Sequence, residues 1–250
     1  MAGHSKWAQI KRKKGATDAK RGQLFSKLVR AIIVAARDGG PDPAGNLALQ
    51  NAIEKAREAA MPKENIERAI AKGSGTGPDA ASYETVTYEG YGPGGVALYL
   101  EALTDNRNRT AAEVRSAFTK NDGNLGESGS VAWLFERTGV ILVSGDADED
   151  ELTLAAADAG AEDVEREESS FRVTAPPETL HAVRASLEMA GLQVESAEAT
   201  MLPKTIVSVD DEAVAKKVVR LMDSLEENED VQAVYSNFDI PERVLEAVAT

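Results

Sequence analysis

Residues 139–202 read GVILVSGDADEDELTLAAADAGAEDVEREESSFRVTAPPETLHAVRASLEMAGLQVESAEATML, and the changes of hydrophobic period along this stretch decide the fold. Val140 to Val143 is a short apolar run bounded by turn residues, as a buried strand requires. Asp150 to Asp158 then takes up helical spacing. Asp163 to Arg166 and Phe171 to Thr174 return to alternation, Pro177 to Ala190 is helical again, and Gln193 to Ala197 or beyond closes the run as a strand. The order βαββαβ is that of a ferredoxin-like unit.

On the N-terminal side of this unit, Val86 and Tyr88 alternate, Gly92-Pro-Gly-Gly95 turns, and Val96, Leu98 and Leu100 resume, which predicts a hairpin. Thr110-Ala-Ala-Glu113 has capping-box spacing, so a helix with Val114, Ala117 and Phe118 inward is expected to start there. Val131, Trp133 and Phe135 alternate as a further strand. On the C-terminal side, Thr205 to Val209 reads as a strand, Asp211 to Glu226 as an amphipathic helix and Val231 to Phe238 as a last strand. The stretch before the unit lacks elements that the tail supplies. One discontinuous α+β domain, 79–138 with 203–250, is therefore expected to hold the 139–202 unit as an insertion.

Residues 1–78 have a different character. Thr17 to Arg37 carries Leu24, Phe25, Leu28, Val29, Ile32, Ile33 and Ala36 at helical spacing, while Lys20, Lys27, Arg30 and Arg37 fall on the opposite side. Leu47 to Ala60 and a segment starting near Pro62 supply two more helices. The expected fold class is α+β: an all-α N-terminal three-helix domain followed by two α+β ferredoxin-like domains, one inserted in the other. Gly73-Ser-Gly-Thr-Gly77 follows a helix and precedes a strand, the reverse of a nucleotide-binding glycine loop, and is read as a linker.

The chain has 250 residues, no Cys, 28 Lys plus Arg and 42 Asp plus Glu, for a net charge of −14. That value is a sum of unlike parts: residues 1–80 carry +7 and residues 81–250 carry −21. A basic segment on an acidic chain points to a polyanionic partner docking at one end. Lys6, Lys11, Arg12, Lys13, Lys14, Lys20 and Arg21 form the arm, with Lys27 and Arg30 continuing it on the first helix. Trp7 offers a face for stacking on an unpaired base, although packing on the helices is the commoner use of a lone Trp. Arg107 and Arg109 lie at an expected helix start, where backbone N–H groups and guanidinium groups together could meet a phosphate.

Other chemistry is excluded or left without support. The absence of Cys removes disulfides, thiolate metal sites and Cys nucleophiles, and two His, His4 and His181, leave little for a metal. The acidic run from Asp146 to Glu151 lacks the glycine and glutamate of a calcium loop. No catalytic residue, cofactor or metal is expected. The apolar stretch Ala31 to Ala36 is too short to span a membrane, so the expected location is the cytoplasm.

Several motifs carry a family resemblance. Met1-Ala-Gly-His-Ser-Lys-Trp7, Asp18-Ala-Lys-Arg21, Asn65-Ile-Glu-Arg-Ala69, Tyr88-Glu-Gly-Tyr-Gly-Pro-Gly-Gly95, Thr104-Asp-Asn-Arg-Asn-Arg-Thr110 and Gly129-Ser-Val131 stand in the order seen in the YebC family. That family includes the mitochondrial translational activator of cytochrome c oxidase. The resemblance implies three domains and a non-enzymatic cytoplasmic regulator that binds nucleic acid. Family members are usually described as DNA-binding regulators of transcription. The alternative description is a ribosome- or RNA-associated factor that regulates translation through stretches such as consecutive prolines. Gly3 to Trp7 and Asp105 to Thr110 are carried over as motif positions, whereas the role given to Lys11 to Lys14 rests on charge. Protein partners would meet the acidic domains.

Overall fold

A computed structural model describes residues 18–75, 83–167 and 170–248. The chain divides into two compact units, Trp133–Ile206 and a discontinuous one formed by the residues before 133 with those after 206.

The discontinuous unit begins with three helices, α1 (Asp18–Gly39), α2 (Leu47–Glu58) and α3 (Lys63–Gly73). Ile32, Ile33 and Ala36 of α1 are buried with Leu49, Ile53 and Ala56 of α2 and with Ile66 and Ala69 of α3. The apolar stripe read from spacing is this core. Asn46 caps α2 by accepting from Leu49 N at 3.1 Å, and its amide donates to the carbonyls of Ala35 and Gly40. At Gly73 a Cβ would sit 2.3 Å from the Ile33 carbonyl oxygen, so only glycine permits the close crossing of α3 on α1.

The rest of this unit is a four-stranded antiparallel sheet with helices on it. Strands β1 (Glu84–Tyr91) and β2 (Ala97–Thr104) pair from Glu84↔Thr104 to Tyr91↔Ala97, joined through Pro93–Gly95, where Gly94 and Gly95 take φ of 73° and 77°. Helix α4 (Arg107–Lys120) and the two-residue β3 (Asn124–Leu125) follow. The sheet order is completed from the far end of the chain, where β9 (Val231–Ser236) lies antiparallel to β2. Helix α7 (Glu212–Glu226) packs with α4 over Leu98, Leu100, Phe118, Leu221, Met222 and Leu225. A seven-residue helix, α8 (Glu242–Val248), adds Val244 and Leu245 to this core.

In the unit Trp133–Ile206, β4 (Phe135–Ser144), α5 (Glu149–Asp158), β5 (Asp163–Arg166), β6 (Ser170–Ala175), α6 (Leu180–Met189) and β7 (Val194–Pro203) follow one another. The antiparallel sheet has the order β5-β6-β4-β7, the ferredoxin-like arrangement with its first and third strands central. Leu152, Ala156, Val183 and Leu187 of the helices cover Ile141, Val143, Phe171 and Val173.

Four sequence expectations need correction. Val131, Trp133 and Phe135 do not form one strand. Residues Ala132–Leu134 make a single 3₁₀ turn, Trp133 is 66% exposed, and Phe135 opens β4 of the other sheet. The cause is Glu89, whose carboxylate takes the N–H groups of Val131 and Ala132 that a strand would have paired. The helix expected to start at Thr110 starts three residues earlier, because Asn106 is the cap and accepts from Arg109 N at 3.1 Å. Thr205 to Val209 contributes only β8 (Val207–Ser208), which pairs in parallel with β10 (Phe238–Asp239) apart from the main sheet. The last strand breaks at Asn237, whose side-chain oxygen accepts from Ala97 N at 2.7 Å.

Candidate nucleic-acid interface

The expected site divides into a part outside the described residues and a part that is visible. Lys6, Trp7, Lys11, Arg12, Lys13 and Lys14 lie outside. Lys20 and Arg21 belong to α1 by their backbone, with side chains outside the described set. Lys27, Arg30, Arg107 and Arg109 are visible, and each has an acidic segment or carbonyl against it.

Lys27 and Arg30 stand one turn apart on α1 and meet residues about 200 positions away. The Lys27 ammonium donates to the carbonyl of Glu226, the last residue of α7. The Arg30 guanidinium donates to the carbonyl of Glu229 and lies 3.3 Å from its carboxylate and 3.1 Å from Asp230 Oδ1. Arg30 Cζ also lies 5.9 Å from the centroid of the Tyr83 ring, and Arg37 donates to the Tyr83 carbonyl. Lys27 and Arg30, two of the cations opposite the apolar stripe, thus face residues 226–230, whereas Arg37 meets Asp38 and Tyr83.

Asp230 is the centre of this arrangement. Its carboxylate is 3% exposed and accepts from Arg109 at 2.8 Å and from the Thr110 hydroxyl at 2.7 Å, with the Thr104 hydroxyl at 3.2 Å. Burial pushes the Asp230 carboxyl up, but hydrogen bonds from Arg109 and Thr110 and the charges of Arg30 and Arg109 outweigh it and hold the group below the usual carboxylate range. Arg109 is raised in turn, first by its bond to Asp230 and then by Asp105 at 2.9 Å. Arg30 of α1 and Arg109 of the Thr104 to Thr110 motif therefore converge on one carboxylate. Arg107 points elsewhere, 3.7 Å from Glu84, with both side chains exposed. The start of α4 is largely self-satisfied: Asn106 caps it, and Thr104 Oγ1 accepts from Asn106 N at 2.9 Å.

Glu89 ties together two of the motifs, Tyr88 to Gly95 and Gly129 to Val131. The side chain is 4% exposed, and its two oxygens accept from the backbone N–H groups of Gly129, Val131 and Ala132, each at 2.7 Å. Burial raises its carboxyl and the three N–H donors lower it, with a net depression. Tyr91 adds a bond from its hydroxyl to the Ser130 carbonyl at 3.1 Å. Asp230, Thr104 and Glu89 were missed by sequence reasoning. Thr104 and Glu89 stood inside motifs whose meaning was unassigned, and Asp230 stands in the acidic run Glu226 to Asp230, where sequence alone does not mark one carboxylate out from its neighbours.

Among the described residues, no helix is long and apolar enough to cross a membrane and no group of three or more His, Cys, Asp or Glu could hold a metal ion.

Comparison with known proteins finds relatives over nearly the whole chain. Residues 5–76 match a model described as the TACO1/YebC protein N-terminal domain, and residues 83–238 match one described as the TACO1/YebC second and third domain. A protein of Rubrobacter xylanophilus is 58% identical over 250 residues, covering 100% of both chains. One of Halothermothrix orenii is 55% identical over 251 residues, covering 99% of each. Both are named "Probable transcriptional regulatory protein". The crystal structure of a conserved hypothetical protein from Aquifex aeolicus superposes with a TM-score of 0.79 at 52% identity, covering 90% of this chain and 93% of that one.

Proposed function

The chain belongs to the TACO1/YebC family, a family of regulatory proteins, and from that premise we propose that it is a non-enzymatic, cytoplasmic, nucleic-acid-binding regulator of gene expression, with DNA as the target and transcription as the step regulated. The observation that carries the reading is the division of charge: +7 over residues 1–80 and −21 over the remainder, with seven Lys or Arg among the first 21 residues. Phosphates are met by Lys6, Lys11 to Lys14, Lys20 and Arg21, while the acidic domains disfavour wrapping elsewhere. The names of the relatives favour transcription as the step.

One observation favours a second reading. Lys27 and Arg30 of α1 and Arg109 at the start of α4 contact the protein itself, so these cations are engaged rather than presented to a groove as the side chains of a major-groove reader are. Recognition by phosphate contacts and shape suits folded RNA. A ribosome-associated role in translation rests on that. Changing Lys11, Arg12, Lys13 and Lys14 to Ala is expected to flatten the slope of log affinity against log salt, by up to about 0.9 for each duplex phosphate no longer neutralised. An unchanged slope sinks the arm. Sedimentation of the tagged protein with chromosomal DNA supports the transcriptional reading, and sedimentation with ribosomes alone replaces it by the second.

A further inference from the structure

We infer that Lys27 and Arg30 form a second phosphate-binding surface, held shut by the acidic turn at 226–230, so that nucleic acid and this turn compete for the same two cations. The inference rests on the nucleic-acid reading above and adds to it a switch inside the discontinuous unit.

The turn offers what a phosphate backbone would offer. Residues 226–230 read Glu-Glu-Asn-Glu-Asp, four acids in five positions. Lys27 and Arg30 bond two of its carbonyls and two of its carboxylates, and the first carbonyl lies at the C-terminal end of α7, where the helix dipole is negative. Charge-assisted bonds from guanidinium and ammonium groups to anionic oxygens are the contacts these side chains make to nucleic-acid phosphates.

Four features make the turn releasable. The Arg30–Glu229 pair is open to solvent at one end, with Glu229 58% exposed against 15% for Arg30, so salt and competing anions reach it. Apolar packing behind it is incomplete: a groove of about 550 Å³ separates Ala31, Val34 and Ala35 of α1 from Ala102 and Leu103 of β2 and Gln232 of β9. The three helices also have a hydrophobic core of their own, distinct from that of the sheet. Finally, when Arg30 leaves, Asp230 keeps Arg109, Thr110 and Thr104. Opening therefore strands no buried carboxylate, which is the penalty that makes most buried ion pairs hard to break.

The test uses the full chain, which has no Cys, so that Glu58→Cys on α2 and Lys120→Cys on α4 take a pair of dyes specifically. Energy transfer between them is followed as KCl is raised and as a short DNA duplex or a short RNA hairpin is added. Transfer is expected to fall with molar salt and with whichever nucleic acid binds. Glu229→Gln is expected to lower transfer without ligand and to raise nucleic-acid affinity about two- to fivefold, the range set by an exposed ion pair. Arg30→Ala is expected to lower transfer while weakening binding. Glu229 is exposed, so its variant folds; a thermal melt identical to the parent's verifies this. Binding with transfer unchanged, and equal affinity for Glu229→Gln, overturns the competition and leaves the nucleic-acid reading standing. Absence of binding to both probes, with salt still changing transfer, overturns the nucleic-acid reading and the competition with it.

Discussion

Replacing Glu89 with Gln exchanges one oxygen for an amide nitrogen and turns an acceptor into a donor at a place where only donors face it. In the parent, one carboxylate oxygen serves Val131 and Ala132 and the other serves Gly129. The Gln oxygen can keep the first pair, but its NH₂ then meets the Gly129 N–H. One charge-assisted bond, worth roughly 1.5–3 kcal/mol, is lost, and a buried donor is left unsatisfied at roughly 1–3 kcal/mol, with partial relief from loop movement. A loss of about 3 kcal/mol is expected, or a fall of about 6–12 °C in Tm for a unit of this size. Urea and thermal unfolding at neutral pH measure it. The sign with pH follows from the depressed carboxyl: its stabilisation is complete above the unfolded value of about 4.3 and is lost as pH falls through the lower folded one. Parent and Glu89→Gln should therefore converge in acid. A variant within about 0.5 kcal/mol of the parent at neutral pH, or a gap that does not close in acid, refutes the account of Glu89 as the anchor of the 129–132 turn.

Other outcomes are expected together. Gly73→Ala raises intrinsic helix propensity by about 1 kcal/mol, yet the Cβ placed 2.3 Å from the Ile33 carbonyl should make the variant less stable by about 1–3 kcal/mol in a denaturant melt. Asp230→Asn should cost about 2 kcal/mol, less than a fully buried pair would, because Arg109 is 43% exposed and can turn to Asp105 and water; unfolding in urea measures it. Trp133→Ala should change unfolding free energy by less than about 1 kcal/mol, since the ring is 66% exposed; a larger loss would mean that the ring is buried in solution.

Legibility followed the range of the interaction. The helices and the inserted sheet were readable because each buries a stripe that repeats locally, as Ile32, Ile33 and Ala36 or Ile141 and Val143 do. The start of α4 is ambiguous in sequence because Thr110 and Asn106 are both good caps by type. What decides is that the Thr110 hydroxyl lies 2.7 Å from Asp230. Lys27 and Arg30 lie opposite the core of α1 as their spacing indicates, but spacing cannot say whether that side meets solvent or another element, and their partners Glu226, Glu229 and Asp230 are some 200 residues away. Glu89 was hidden for the same reason: the reach from Glu89 to Val131 crosses 42 positions, and a charged residue in a strand ordinarily points outward.

The place of β9 has a bearing on how the chain is made. Strand β2, ending at Thr104, receives its neighbour only when residues 231–236 exist. At ribosomal rates the roughly 130 intervening residues take about 6 to 26 s, and in that time the outer edge of β2 is a bare row of backbone donors and acceptors. The unit Trp133–Ile206 is finished within the same interval, ahead of the unit that carries it. A newborn chain thus holds one completed sheet and one waiting sheet at once, and truncation anywhere between 104 and 231 leaves the waiting edge permanently open to pairing with another chain.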